Sequence, residues 1–69
     1  MDIFLYHFRT KRNLSIRRLA DITGLSAGTI WNIENGRTSP TLDELEILAI
    51  ALECGMIDLF DSPYKRSRF

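Results

Sequence analysis

The sequence predicts an all-α domain made of five short helices, and three observations carry that expectation. Apolar residues recur three and four positions apart along most of the chain, as on one face of a helix, while the strict alternation of a half-buried strand is nearly absent. Breakers fall at short intervals: Gly24, Gly36, Pro40 and Gly55 each end one periodic stretch or open the next. The length, 69 residues, suits one domain. A chain this short buries only about 60% of the surface it exposes when unfolded, so its core is small.

Asp2 is placed to cap a first helix that runs to about Arg12, turning Leu5 and Phe8 inward, Phe4 partly so, with Tyr6 and His7 toward solvent. Asn13 and Leu14 break it. Ser15 is suited to accept the free amides of a second helix, Ile16 to Thr23, which buries Leu19, Ala20 and Thr23, and Gly24 supplies the positive φ that stops it. Leu25 then plugs the core and Ser26 caps a third helix to Asn35. Residues 15–35 are therefore two short helices joined by almost nothing, the helix-turn-helix arrangement. Gly36 ends the third helix, and Pro40 keeps Ser39 extended in the turn beyond it. Thr41 caps a fourth helix with Glu44 as its capping-box partner, and Leu42, Leu45, Leu48, Ala49 and Leu52 make the buried stripe. Gly55 opens a last helix to Phe60, with Leu59 and Phe60 closing the core. The domain is expected to span 1–61, and the basic stretch 62–69 to be a flexible tail.

Charge is zero overall but unevenly placed. Residues 9–37 hold six basic side chains against two acids, whereas 41–61 hold six acids and no Lys or Arg. Folding can put these on opposite faces, one fit for phosphates and one for a basic partner. No apolar run approaches the ~20 residues of a membrane span, and the lone Cys54 has no internal partner for a disulfide, which suits a reducing cytoplasm. One His and one Cys cannot supply a set of metal ligands, and no phosphate-binding glycine loop or nucleophile with a positioned base is present. No metal, no cofactor and no catalysis are expected.

The third helix raises one question of its own. Ile30 and Ile33 share its buried face, yet Trp31 lies about 100° away, beside Ala27, Gly28, Asn32 and Asn35. Two tiny residues, an amide and an indole are thus turned toward solvent instead of the core. One reading has Trp31 folding back over the second helix or shielding a dimer contact.

The residues LSIRRLADITGLSAGTIWNIENGRTSPTLDELEILAIAL, with MIDLF after them, resemble the Cro/C1-type, or XRE, family of helix-turn-helix repressors over Leu5 to Phe60. The resemblance implies a compact five-helix domain of the lambda-repressor-like type, dimeric on DNA, with its third helix in the major groove. It also implies an ion pair between Arg9 and Glu34, and phosphate contacts from the loop residues Asn35, Arg37, Thr38 and Ser39, with Asn35 equally readable as a helix end without a ligand. Ser15 and Ser26, at the starts of the second and third helices, join the phosphate set, and Arg17 and Arg18, standing where the family often has acidic or amide residues, add phosphate contacts by a different route. Departures are clear: Ile16 stands where the family often has a phosphate-binding Gln, and Ala27 and Gly28 stand where it often has polar base readers. With the third helix in the groove as the resemblance implies, Ala27 and Gly28 would let the backbone approach the floor and touch thymine methyls, Asn32 keeps an amide able to pair with adenine, and Trp31 would cover thymine methyls or the sugar wall. Ile57, Phe60 and Tyr64 are either core closure or a symmetric dimer patch. The expected function is a sequence-specific regulator, a repressor binding double-stranded DNA at a palindromic operator as a homodimer; the alternative is a protein-interaction module, or the antitoxin of a toxin–antitoxin pair, whose acidic region docks a basic partner.

Overall fold

A computed structural model of the chain describes residues 1–64, and in it four α-helices and a single 3-10 turn wrap one core. In chain order they are β1 (Asp2–Ile3), α1 (Leu5–Lys11), α2 (Ile16–Thr23), α3 (Ala27–Glu34), α4 (Leu42–Leu52), the 3-10 turn Met56–Leu59 and β2 (Phe60–Asp61). Leu5, Leu19, Ile30, Ile33, Leu48, Leu52 and Leu59 are fully buried, so every helix and the 3-10 turn supply at least one anchor. Each such side chain contributes roughly 1.5–3 kcal/mol when taken out of water. Half-buried Phe8, Leu25, Met56 and Phe60 pack around them.

The caps follow local chemistry. The hydroxyls of Ser15, Ser26 and Thr41 accept the backbone amides three residues on, and Glu44 returns a carboxylate oxygen to the Thr41 amide at 2.8 Å, completing a capping box. Gly24 stops α2 at φ 79, a conformation closed to most side chains. The buried hydroxyl of Thr23 holds the turn that follows, donating to the Leu19 carbonyl at 2.8 Å and accepting from the Leu25 amide at 3.2 Å.

Three expectations are corrected here. The first helix starts at Leu5, because Asp2 and Ile3 pair antiparallel with Asp61 and Phe60 and the Phe4 amide donates to the Leu59 carbonyl at 2.8 Å. The last helix is a four-residue 3-10 turn, held at its start by the Asp58 carboxylate, which accepts from the Gly55 amide at 3.1 Å. Leu42 lies outside the core at 76% exposure. It is the first residue of α4, and helical side chains lean toward the N-terminus, so it overhangs the end of the packed stripe. Of the expected tail, residues 65–69 lie outside the described residues. No helix among the described residues is long and apolar enough to cross a membrane.

Candidate nucleic-acid interface

The face of α3 turned from the core is a row of residues the fold does not use for packing. Ile30 and Ile33 hold the helix down, while Ala27, Gly28 and Trp31 are exposed and Asn32 is half-buried. A Cβ added at Gly28 would meet only the Ser26 hydroxyl oxygen, at 4.0 Å, so no internal neighbour demands a glycine there. Asn32 has its side-chain amide unengaged by any described residue, and its backbone carbonyl accepts from the amides of Arg37 (2.8 Å) and Thr38 (3.4 Å).

The angle of α3 is fixed from the opposite side by Arg9. Its guanidinium donates to both carboxylate oxygens of Glu34, Nε to Oε2 at 3.0 Å and Nη2 to Oε1 at 2.6 Å, and Nη1 donates to the Leu14 carbonyl at 2.8 Å. One side chain thus joins α1, the α1–α2 turn and the end of α3. The side chains are 11% and 7% exposed, so the pair is largely out of water. The bond to Glu34 raises the Arg9 pKa by more than burial lowers it. The Tyr6 ring lies under the same guanidinium at 5.3 Å.

Around the row stand the groups suited to phosphates. Arg17 and Arg18 are exposed in the first turn of α2, and Arg37, Thr38 and Ser39 are exposed in the loop after α3. Ser15 and Ser26 are engaged as caps, and the Ser26 hydroxyl also donates to the Thr29 hydroxyl at 2.8 Å. Asn35 is engaged as well: its side-chain amide donates to the Trp31 carbonyl at 2.9 Å, as a helix end would. Trp31 is 44% exposed and does not stand alone, because the Arg37 guanidinium sits over its ring, 5.2 Å from the centroid. That stack was missed in the sequence; six residues of separation across a glycine stop was the available signal.

At the far end, Phe60 is half-buried in β2 against the core, whereas Ile57 and Tyr64 are 52% and 72% exposed. His7 is exposed and meets the edge of the Phe8 ring at 5.2 Å. Among the described residues no group of three or more His, Cys, Asp or Glu is placed to hold a metal ion.

An exposed face on α3 and the three-residue connection Gly24–Leu25–Ser26 from α2 make a helix-turn-helix arrangement flanked by cations. A family model described as helix-turn-helix matches residues 5–59, and the chain belongs to that family, the Cro/C1-type one. Among solved structures it is similar to a helix-turn-helix family transcriptional regulator from Vibrio cholerae, at 36% identity and a TM-score of 0.72 over 77% of this chain. The match covers 30% of that protein's chain. A search of curated proteins finds no match.

Proposed function

We propose that this domain is a sequence-specific repressor that reads a palindromic operator as a homodimer, with α3 in the major groove. The observation that carries the reading is the outer face of α3: Ala27, Gly28, Trp31 and Asn32 are held rigidly by Ile30, Ile33 and the Arg9–Glu34 bridge, and none is needed by the core. Small residues at the entering end suit close approach to thymine methyls, and the unengaged Asn32 amide suits adenine, which together favour A·T-rich half-sites. Arg17, Arg18, Arg37, Thr38 and Ser39 supply phosphate contacts that set register without reading sequence. Exposed Ile57 and Tyr64, together with half-buried Phe60, form the dimer contact that spaces two recognition helices about one DNA turn, roughly 34 Å, apart.

Selection of bound sites from a pool of random duplexes tests this directly, the expected product being a symmetric A·T-rich motif. Asn32→Ala should then weaken the selected site by roughly 1–3 kcal/mol and a random duplex hardly at all. An unchanged ratio of the two affinities would remove α3 as the reader. A charge introduced at Ile57 should yield a folded monomer with much reduced operator affinity, and sedimentation of an intact dimer would rule out that contact. Absence of salt-dependent binding to any duplex would favour the second reading, a protein-interaction module. Its support is the acidic segment 41–61, in which Leu42, Ile50 and Ile57 are exposed, as are Asp43, Glu46, Glu53 and Asp58.

A further inference from the structure

The turn that ends α3 does more than stop it. Gly36 adopts φ 72, its amide donates to the Ile33 carbonyl at 3.1 Å, and the Arg37 amide reaches back to the Asn32 carbonyl at 2.8 Å. This pair of bonds is a Schellman motif, in which the second residue past the cap is folded back over the last turn of its own helix. In most proteins an apolar contact accompanies it. Here the returning residue is Arg37 and the side chain it meets is Trp31, with the guanidinium 5.2 Å from the ring centroid, inside the range of a cation–π contact. Arg37 is also favoured there by the negative end of the α3 dipole.

The stack changes what Trp31 can do on DNA. One face of the indole is occupied by Arg37, so that face is closed to a base. Trp31 also stands four residues behind Ala27, about 6 Å along the axis, and a helix that enters the groove by its N-terminal end brings this level toward the phosphate rim rather than the floor. An arginine already ordered on an aromatic ring loses less rotamer freedom on meeting a phosphate than a free one.

We infer that Trp31 is a positioning residue: the indole and the Gly36 turn hold the Arg37 guanidinium as a preformed phosphate clamp at the back of α3, and Trp31 acts on DNA through that charge instead of by reading thymine methyls. This rests on the DNA reading proposed above. Salt titrations of the full chain on a selected operator and on a random duplex separate the two. Arg37→Ala should lower the slope of log affinity against log salt by about 0.9, the value of one phosphate contact. Trp31→Ala keeps the arginine, yet should lower the slope as well and weaken both duplexes alike, by about two- to fivefold. Trp31→Phe should restore most of the loss, Gly36→Ala should copy it with both side chains present, and the double variant Trp31→Ala/Arg37→Ala should be no weaker than Arg37→Ala alone. An unchanged slope for Trp31→Ala, or losses that simply add in the double variant, overturns the inference while leaving DNA binding intact. Wild-type protein that binds no duplex at any salt overturns both together.

Discussion

Arg9 and Arg12 stand one turn apart at the end of α1, and each is paired with a glutamate, but the two pairs join different regions under different physical conditions. Arg9 and Glu34 close the seam between α1 and α3 with two parallel bonds, largely out of water, and a third bond to the Leu14 carbonyl leaves little freedom. Arg12 and Glu53 bridge the seam between α1 and the end of α4, with side chains 41% and 72% exposed. Beside them lies an open hollow of about 360 Å³ lined by Phe8, Lys11, Leu52 and Cys54. The contrast teaches where this small fold is rigid. Attraction in a poorly solvated seam depends on both partners being present, because either one left alone is a buried charge; attraction at the surface is screened and offset by side-chain entropy. The seam between α1 and α3 is of the first kind, and the seam between α1 and the end of α4 is of the second.

The largest expected effect breaks that contrast at its stronger end. Glu34→Ala strands the Arg9 guanidinium and should cost about 3 kcal/mol, lowering the melting temperature by roughly 15 °C in a domain of this size. Arg37→Ala, removing a solvated charge, should move it only slightly. Equal melting temperatures for the two would mean the Arg9–Glu34 bridge does not hold the fold.

At the weaker end, Glu53→Ala should cost less than about 1 kcal/mol. Glu53 ends α4 at φ 53, a left-handed conformation that strains any side chain. Glu53→Gly loses the same ion pair but relieves that strain, so it should melt above Glu53→Ala; the reverse order would show that the left-handed backbone at this position costs a side chain less than the extra unfolded-state freedom of glycine.

Gly28→Ala sharpens the comparison on the α3 side. The space is open, and a helical Ala is preferred over Gly by about 0.5–1 kcal/mol, so thermal stability should rise modestly. Operator affinity should fall if the bare Cα is what approaches the groove floor. A variant both more stable and equally tight on its selected site would assign Gly28 no part in reading.

The smallest effect concerns Cys54, half-buried at the α1–α4 seam. Burial, and then the Asp58 charge, push its thiol pKa up, against a smaller opposite pull from Arg12. A folded pKa above the unfolded one favours the neutral thiol, so the resulting stability is fully present below the unfolded value and is lost as alkaline pH rises through the folded one. Alkylation by iodoacetamide near pH 8 should be slower in the native protein than in urea; matching rates would contradict a shielded thiol.

What the sequence by itself determined lies within about four residues of its own signal. Ser15, Ser26 and Thr41 are caps because a side-chain oxygen reaches an amide three positions on, Gly24 and Gly36 are stops because of the φ they allow, and the periodicity of Leu19, Ile30, Ile33, Leu45, Leu48 and Leu52 points one face of each helix inward whatever that face meets. The resemblance to a known family added the Arg9–Glu34 bridge, which spans 25 residues and which local pattern could not supply. Tertiary structure alone decided the rest. The pairing of Ile3 with Phe60 displaced the start of α1, since two-residue strands leave no alternation to detect and depend on chain segments brought together only by folding. Leu42 follows the helical period but stands beyond the last surface able to cover it. The return of Arg37 onto Trp31 requires a left-handed glycine, two backbone bonds and an exposed ring at once, and such a coincidence of three separate geometries leaves no periodic trace in the order of the residues.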